Sequence, residues 1–451
     1  MLNYKDKIIH IHHWYQPPWQ FPKTLAKIVD ECYRPMSEFY SKVENFKVAV
    51  NINYSLTSQL IKYGHIDVIE NLKLAAKKGN IEFLGSASNH AFGPLTPKAE
   101  FIRQIEQNEQ GNRKVFGNFW KDKTKRGFFP PEMGFNPELA SLIKSQGFAF
   151  SVASGITLFD VEFPSIKIAK INNLPMYFRA DDWSNIFSMD FAQKGTFEPK
   201  EFVDDLGDSL HDWFANRRRE IKIEYKNKGL NPKNIPDNYL LLAFDVETMG
   251  HHHKGYNQEF MFKYAKALNE KGFESVLPIE YLKSNPNSYE LIKTKEDKDK
   301  FHSSWSTEIH HLENANPFPL WTPSNPINNL QHKLVDLAND AVKKAKRKNL
   351  EIPRSREILD FARNSCKLWW ANEGYLWNPT YLLIGAAETL QVFYALELET
   401  KKSSFNHQKY LNEAEEIFNE IKQKIKEKDP NAIIKDLPLP DYFIKKDMLK
   451  L

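Results

Sequence analysis

Short, wholly apolar runs alternate with amphipathic stretches from residue 7 to about residue 284, and most of these runs stop in a polar cluster. The run Tyr239–Phe244 leaves no position for a solvated face, which is the pattern of a strand buried on both sides in a parallel sheet. Strands of similar type read at Lys7–His13, at 46–54 with Val48, Val50 and Ile52 on one side, at 81–84, before Glu132, at 148–155, at 175–179 and near 273–278. Between them lie amphipathic segments: Ile66–Lys78, closed by Gly79; about Lys98 to Phe116; Pro137–Gln146; Lys200–Asn227; and Gln258–Lys271, closed by Gly272. Strand and helix in this alternation give parallel pairing, and seven or so such units close a barrel. The expected fold class is therefore α/β, a TIM-like barrel of about seven βα units followed by a C-terminal helical domain.

The rest of the chain differs. After about Asn285 a charge-rich run (293–300) and a proline-rich stretch (314–328) give way to consecutive amphipathic helices. Leu330, Leu334, Leu337 and Ala341 form one stripe, and Leu411, Ala414, Ile417, Phe418, Ile421 and Ile425 another. The expected organisation is a barrel over 1–284, linker and cleft-edge loops over 285–325, a helical domain over 326–428 covering part of the barrel mouth, and a tail over 429–451. With 41% hydrophobic and 27% charged residues, 451 positions supply an ordinary globular core. A net charge of +4 on 120 charged side chains, 62 basic and 58 acidic, gives no reason to expect nucleic acid as a partner. Two distant cysteines, Cys32 and Cys366, match no metal or redox spacing, and the charged amino terminus does not read as a secretory signal. The longest apolar runs, of about six residues, are too short to span a membrane. The expectation is a cytoplasmic protein, with no membrane partner and no cofactor; oligomeric state is not readable.

The strand ends carry the chemistry. Asp245, Glu247 and His251–His253 follow the Tyr239 run, and Glu132 follows Phe128-Phe129-Pro130-Pro131. His13 and Gln16 follow the first strand, His90 the third, and Asp182 and Trp183 the one ending at Arg179. In a parallel barrel all carboxyl-terminal strand ends converge on one rim, where ligands bind. Two acids there, Glu132 and Asp245, form a candidate pair for work on a glycosidic bond.

Four of these segments resemble the motifs of glycoside hydrolase family 57. His13-Trp14-Tyr15-Gln16-Pro17-Pro18 is similar to its first motif, Gly79–His90 to its second, Phe129-Pro130-Pro131-Glu132 to its third and Phe244–His251 to its fourth. A fifth, on the helical domain, matches loosely through Asn364, Ser365 and Trp369, which leaves the subfamily and its substrate open. The resemblance implies a (β/α)7 barrel with a helical domain, α-glucan substrates, retention of anomeric configuration, Glu132 as nucleophile and Asp245 as general acid/base. His13, Trp14, Gln16, His90, Asp182, Trp183, Glu247, His251, Trp369 and Trp370 are the expected substrate-binding residues, the histidines through sugar hydroxyls and the tryptophans by stacking. Two other readings stand beside this one. His10, His12 and His13 with His251–His253 and Asp245 form a possible metal cluster of a deacetylase or α-mannosidase. A barrel that binds glucan without turnover is the other.

Overall fold

The computed structural model describes residues 6–120, 122–158, 168–190, 198–229, 231, 235, 237–285, 289–292, 301–432 and 439–446. The charge-rich run 293–300 lies outside them. The chain divides into two compact units, one of Met1–Gln16, Pro22–Ser88 and Lys98–Pro317, the other of Pro17–Phe21, Asn89–Pro97 and Phe318–Leu451.

Among the described residues the first unit is built on ten strands: β1 Lys7–Trp14, β2 Val48–Ile52, β3 Ile81–Leu84, β4 Gly127–Phe128, β5 Phe150–Ser154, β6 Ile168–Ile171, β7 Leu174–Arg179, β8 Tyr239–Asp245, β9 Glu274–Ser275 and β10 Tyr289–Ile292. Parallel ladders run β3-β2-β1-β8 and β7-β5-β4. Two joints close the ring. Gly85 bridges Phe128 in parallel between β3 and β4, and Ala180 N donates to Leu241 O (2.8 Å) between β7 and β8. Seven parallel strands, β1, β2, β3, β4, β5, β7 and β8, therefore surround one interior. The strand expected near 273–278 is the two-residue β9. It pairs with β1 only at Lys7 and Ile8, before β2 takes over at Ile11, and stands outside the ring of seven. β6 and β7 form an antiparallel hairpin turning through Asn172 and Asn173, both at positive φ, as a tight two-residue turn requires.

Strand parity sorts the side chains. Ile9 and Ile11 of β1 join Ala49, Leu84, Phe129, Phe150, Val152, Tyr177, Tyr239, Leu241 and Ala243 in the barrel interior. Ile8 and Trp14 point the other way and pack with Val48, Val50, Phe83, Leu242 and Phe244 against the surrounding helices, through Leu25, Val29, Leu56, Leu72 and Tyr264. Both faces are thus apolar, which is why these strands read as unbroken runs. Each such Val, Leu, Ile or Phe contributes about 1.5–3 kcal/mol from burial. The helices keep the bounds read from periodicity almost unchanged: Ile66–Lys78, Lys98–Phe116, Pro137–Ser145, Pro199–Asn227 and Gln258–Lys271.

Among the described residues the longer helices of the second unit are Pro326–Arg347, Pro353–Phe361, Pro379–Thr400 and His407–Lys428. The two sequence stripes face its core, except that Leu337 and Ile417 are only partly buried. Pro379–Thr400 is long and apolar enough to cross a membrane by length and composition, and 83% of its apolar 18-residue window is buried inside the protein. No apolar stripe marks it, because it is covered on nearly every side.

Candidate active site

His13 is the hub of the barrel's carboxyl edge. It follows Ile9 and Ile11 on the interior face, and its Cα partners are Asn51 on β2 and Asp245 on β8. Its Nδ1 lies 2.5 Å from Asn51 Oδ1, so the amide carbonyl accepts the Nδ1 proton. The imidazole stacks on Phe129 (centroids 5.0 Å, 14°) and meets the Trp305 ring edge-on (5.8 Å, 78°). Burial lowers its pKa to about 4, the Asn51 bond opposing that in part, so the ring is neutral near pH 7.

Asp245 ends β8 on the interior side, with Leu241 and Ala243. The residue keeps some solvent exposure, yet its carboxyl sits among enough protein that burial raises its pKa to about 6, with Arg179 pulling it down. Arg179 ends β7 and is itself buried. It donates to Ala243 O (2.8 Å), Asp181 Oδ1 (3.0 Å) and Asn185 Oδ1 (2.8 Å). Two residues past Asp245, Glu247 is buried in the turn Val246–Thr248, where its Oε1 accepts from Gln16 Nε2 (2.8 Å) and from the Tyr33 hydroxyl. Burial, and then the charge of Asp245, raises its pKa.

A π-helical turn, Val29–Tyr33, braces this loop. Besides the Tyr33 bond, Cys32 Sγ donates to Val246 O (3.0 Å), and Glu31 Oε2 pairs with His251 Nδ1 (2.6 Å). That hydrogen bond lowers the Glu31 pKa. Gly250, at φ +99°, passes so close that a Cβ there would lie 2.2 Å from Glu31 O.

Across the rim, Glu132 occupies the turn Pro131–Met133 after β4, in a left-handed conformation (φ 59°, ψ 16°). Trp305 Nε1 donates to its Oε2 (2.9 Å) and Trp305 N to its carbonyl oxygen (3.2 Å). His13 thus links the two acids: Asp245 is its strand neighbour, and its ring touches the tryptophan that binds Glu132.

Several expected binding residues lie elsewhere. Trp14 alternates with His13 and points to the outer face, fully buried and stacked on Tyr33 (4.8 Å, 17°), so no sugar reaches its ring. Gln16 uses its amide to hold Glu247. Trp183 packs edge-on to Phe202 in the outer core (5.8 Å, 82°) and Asp182 is exposed. At that strand end Asp181, not Asp182, is built in, accepting from Ser154 Oγ (2.7 Å), Ile156 N (3.0 Å) and Arg179. His10 and His12 share Trp14's face and bond Tyr264 and Tyr40, which separates them from His13 and removes the six-histidine cluster. Among the described residues no three His, Cys, Asp or Glu side chains gather closely enough to hold a metal ion.

His90 groups with the second unit. Its Nδ1 lies 3.0 Å from Ser365 Oγ, and its carbonyl accepts from Ser365 N (3.2 Å). Neighbouring Asn364 donates to Glu388 Oε2 (2.7 Å), so the second motif and the loose fifth motif meet there. Trp369 lies against Trp321 (5.8 Å), while Trp370 packs edge-on to Tyr381 (5.4 Å) against the helical core.

Trp305, Arg179, Tyr33 and Asn51 were not expected at the site. Strand parity marks Arg179, two places after inward-facing Tyr177, and Asn51, two after Ala49. Nothing local marks Trp305, which lies in a segment without periodicity, or Tyr33, which depends on a π turn.

A seven-stranded parallel barrel with an acid on each side of its carboxyl edge is the scaffold of a barrel enzyme. Residues 3–295 match the model of glycosyl hydrolase family 57, and the chain belongs to that family. Alpha-amylase 1 of Dictyoglomus thermophilum is 26% identical over 149 residues, 33% of this chain and 21% of that protein, so the chain matches about a fifth of that relative's length. Crystal structures that share the fold include the following three. A branching enzyme of this family from Thermococcus kodakaraensis has a TM-score of 0.62 at 14% identity and covers 99% of both chains. The 4-alpha-glucanotransferase of Thermococcus litoralis scores 0.61 at 16% identity, over 88% of this chain and 60% of that one. An exo-type maltose-forming amylase from Pyrococcus sp. ST04 scores 0.63 at 13% identity, over 93% and 83%.

Proposed function

We propose that this protein is a retaining glycosidase or glucanotransferase acting on α-1,4-linked glucans, with Glu132 as nucleophile and Asp245 as general acid/base. The observation that carries the reading is the contrast between two acids flanking His13. Asp245 sits where burial favours its protonated form, whereas Glu132 receives an indole N–H that favours its carboxylate. Family membership and the amylase, branching enzyme and glucanotransferase among the relatives support α-glucan as the substrate class.

The chemistry runs in two displacements. A Glu132 carboxylate oxygen bonds to the anomeric carbon as the glycosidic C–O bond breaks, and the Asp245 proton passes to the leaving oxygen. Asp245, now ionised, takes a proton from water or from a sugar hydroxyl, whose oxygen displaces Glu132 and restores the α configuration. Neutral His13 lies between the acids as a hydrogen-bonding group for sugar hydroxyls. Arg179 steadies the Asp245 carboxylate formed after the first step.

The test is azide rescue with an activated aryl α-glycoside. In Glu132→Ala, azide restores turnover and gives a β-glycosyl azide. In Asp245→Ala, the good leaving group still allows glycosylation, and azide then gives the α product. A covalent sugar trapped on another residue, or measured inversion, overturns the assignment. Products formed from maltoheptaose divide hydrolysis from transfer, since shorter sugars alone mark water as acceptor and longer ones mark a glucan.

A further inference from the structure

We propose that Trp305 is a positioning residue for Glu132, holding the nucleophilic carboxylate in an otherwise unfavourable backbone geometry. The inference rests on the nucleophile reading above and deepens it. Glu132 and Met133 both have positive φ (59° and 49°), two successive non-glycine residues in a region that L side chains seldom occupy. Such residues persist only where their surroundings over-determine them.

Here the surroundings come from residues 301–307. Phe135 and Ser303 form an antiparallel bridge, with Phe135 N donating to Ser303 O (2.7 Å) and Ser303 N to Phe135 O (3.1 Å). Further along the same pairing, Trp305 N donates to Glu132 O (3.2 Å). Ser303 and Ser304 are fully buried, and Ser304 N is held by Thr307 Oγ1 (2.8 Å), so the segment is anchored on both sides of the tryptophan. The indole is fixed as well, edge-on to His13 and to Phe129 (5.9 Å, 67°). A ring so constrained presents Nε1–H to Glu132 Oε2 at 2.9 Å. Hydrogen bonds to ionised acceptors are the strong class, so this one fixes the carboxylate's rotamer and favours its charged form before substrate arrives. The same tryptophan therefore sets both the main-chain and the side-chain position of Glu132.

Trp305→Phe keeps a ring against His13 and Phe129 and removes the N–H. On an aryl α-glycoside its kcat should fall about ten- to a hundredfold, the weight of one hydrogen bond to a charged group, with KM within about threefold of the parent. The discriminating measurement repeats the change in Glu132→Ala with azide as nucleophile. Acting through Glu132, Trp305→Phe then costs less than about twofold, and the two substitutions are non-additive. An equal loss in both backgrounds assigns Trp305 to substrate binding or folding and overturns the proposal, as does near-parental kcat in Trp305→Phe alone. If the smaller ring loosens the segment, seen as a lowered Tm, 3-benzothienylalanine at position 305 keeps the bicyclic shape without the N–H and carries the same comparison. Failure of azide to rescue Glu132→Ala, or an α-configured azide product, instead removes the nucleophile reading, and this inference with it.

Discussion

In the proposed role Asp245 serves as an acid only while it holds its proton, and the charge that most opposes this is Arg179. A nearby cation favours the carboxylate, so removing it raises the pKa and keeps the proton to higher pH. Arg179→Met should therefore move the basic limb of the kcat/KM profile upward from about pH 6, by about one unit or more, whatever happens to its height. A limb that stays or moves down would show that the Arg179 charge does not act on Asp245. Glu247→Gln should leave the limb nearly in place, because Glu247 is the weaker acid and remains neutral while Asp245 titrates; the same profile checks it. The placement of Glu132 and Asp245 at strand ends was legible in the sequence, since each follows an apolar run. His13 and Trp14 show how finely that legibility is graded. They are adjacent and equally suggestive, and only the two-residue period says that one faces the interior and the other the helices.

The π turn Val29–Tyr33 and the loop Val246–His251 behave as one element, touching at Val246 O, Glu247, Gly250 and His251. Gly250→Ala tests this directly, because a methyl group there meets Glu31 O at 2.2 Å in a φ range hostile to L residues. The expected result is a loss of about 1–3 kcal/mol in unfolding free energy. A fall in activity beyond that of the folded fraction should accompany it, measured by denaturant titration beside the aryl glycoside assay. Near-parental stability would mean that the turn yields. Neither this contact nor the Trp305 segment was readable, since both join stretches distant in sequence without periodicity of their own. The helix Pro379–Thr400 escaped for the opposite reason: apolar on all sides, it has no stripe to find. Helices with one buried face, such as Ile66–Lys78, were legible to the residue.

Folding stability of the whole molecule carries a pH signature from Glu82. This acid points into the barrel one layer below His13, accepts from Ile279 N (3.4 Å), and has its pKa raised by burial to about 8. The folded state therefore holds a proton that the unfolded chain, near 4.5, releases. Its contribution is fully present below pH 4.5 and is lost as pH rises toward 8. Glu82→Gln should flatten the fall in Tm between about pH 5 and 8, and parallel Tm curves for the two proteins would refute the assignment.

The ring closures give the barrel a further property. One arc of strands, β8-β1-β2-β3, carries Asp245, His13 and Asn51; the other, β4-β5-β7, carries Arg179 and leads into Glu132. The arcs meet at two narrow seams: Gly85 with Gly127 and Phe129 on one side, Ala180 with Leu241 on the other. Each acid thus rides on a different half-shell, and among the described residues no continuous ladder fixes the gap between them. That gap decides whether a carboxylate or a water molecule reaches the anomeric carbon. The stereochemistry of the proposed reaction is accordingly a dimension held across two seams, bridged at the rim by the imidazole of His13 against the indole of Trp305.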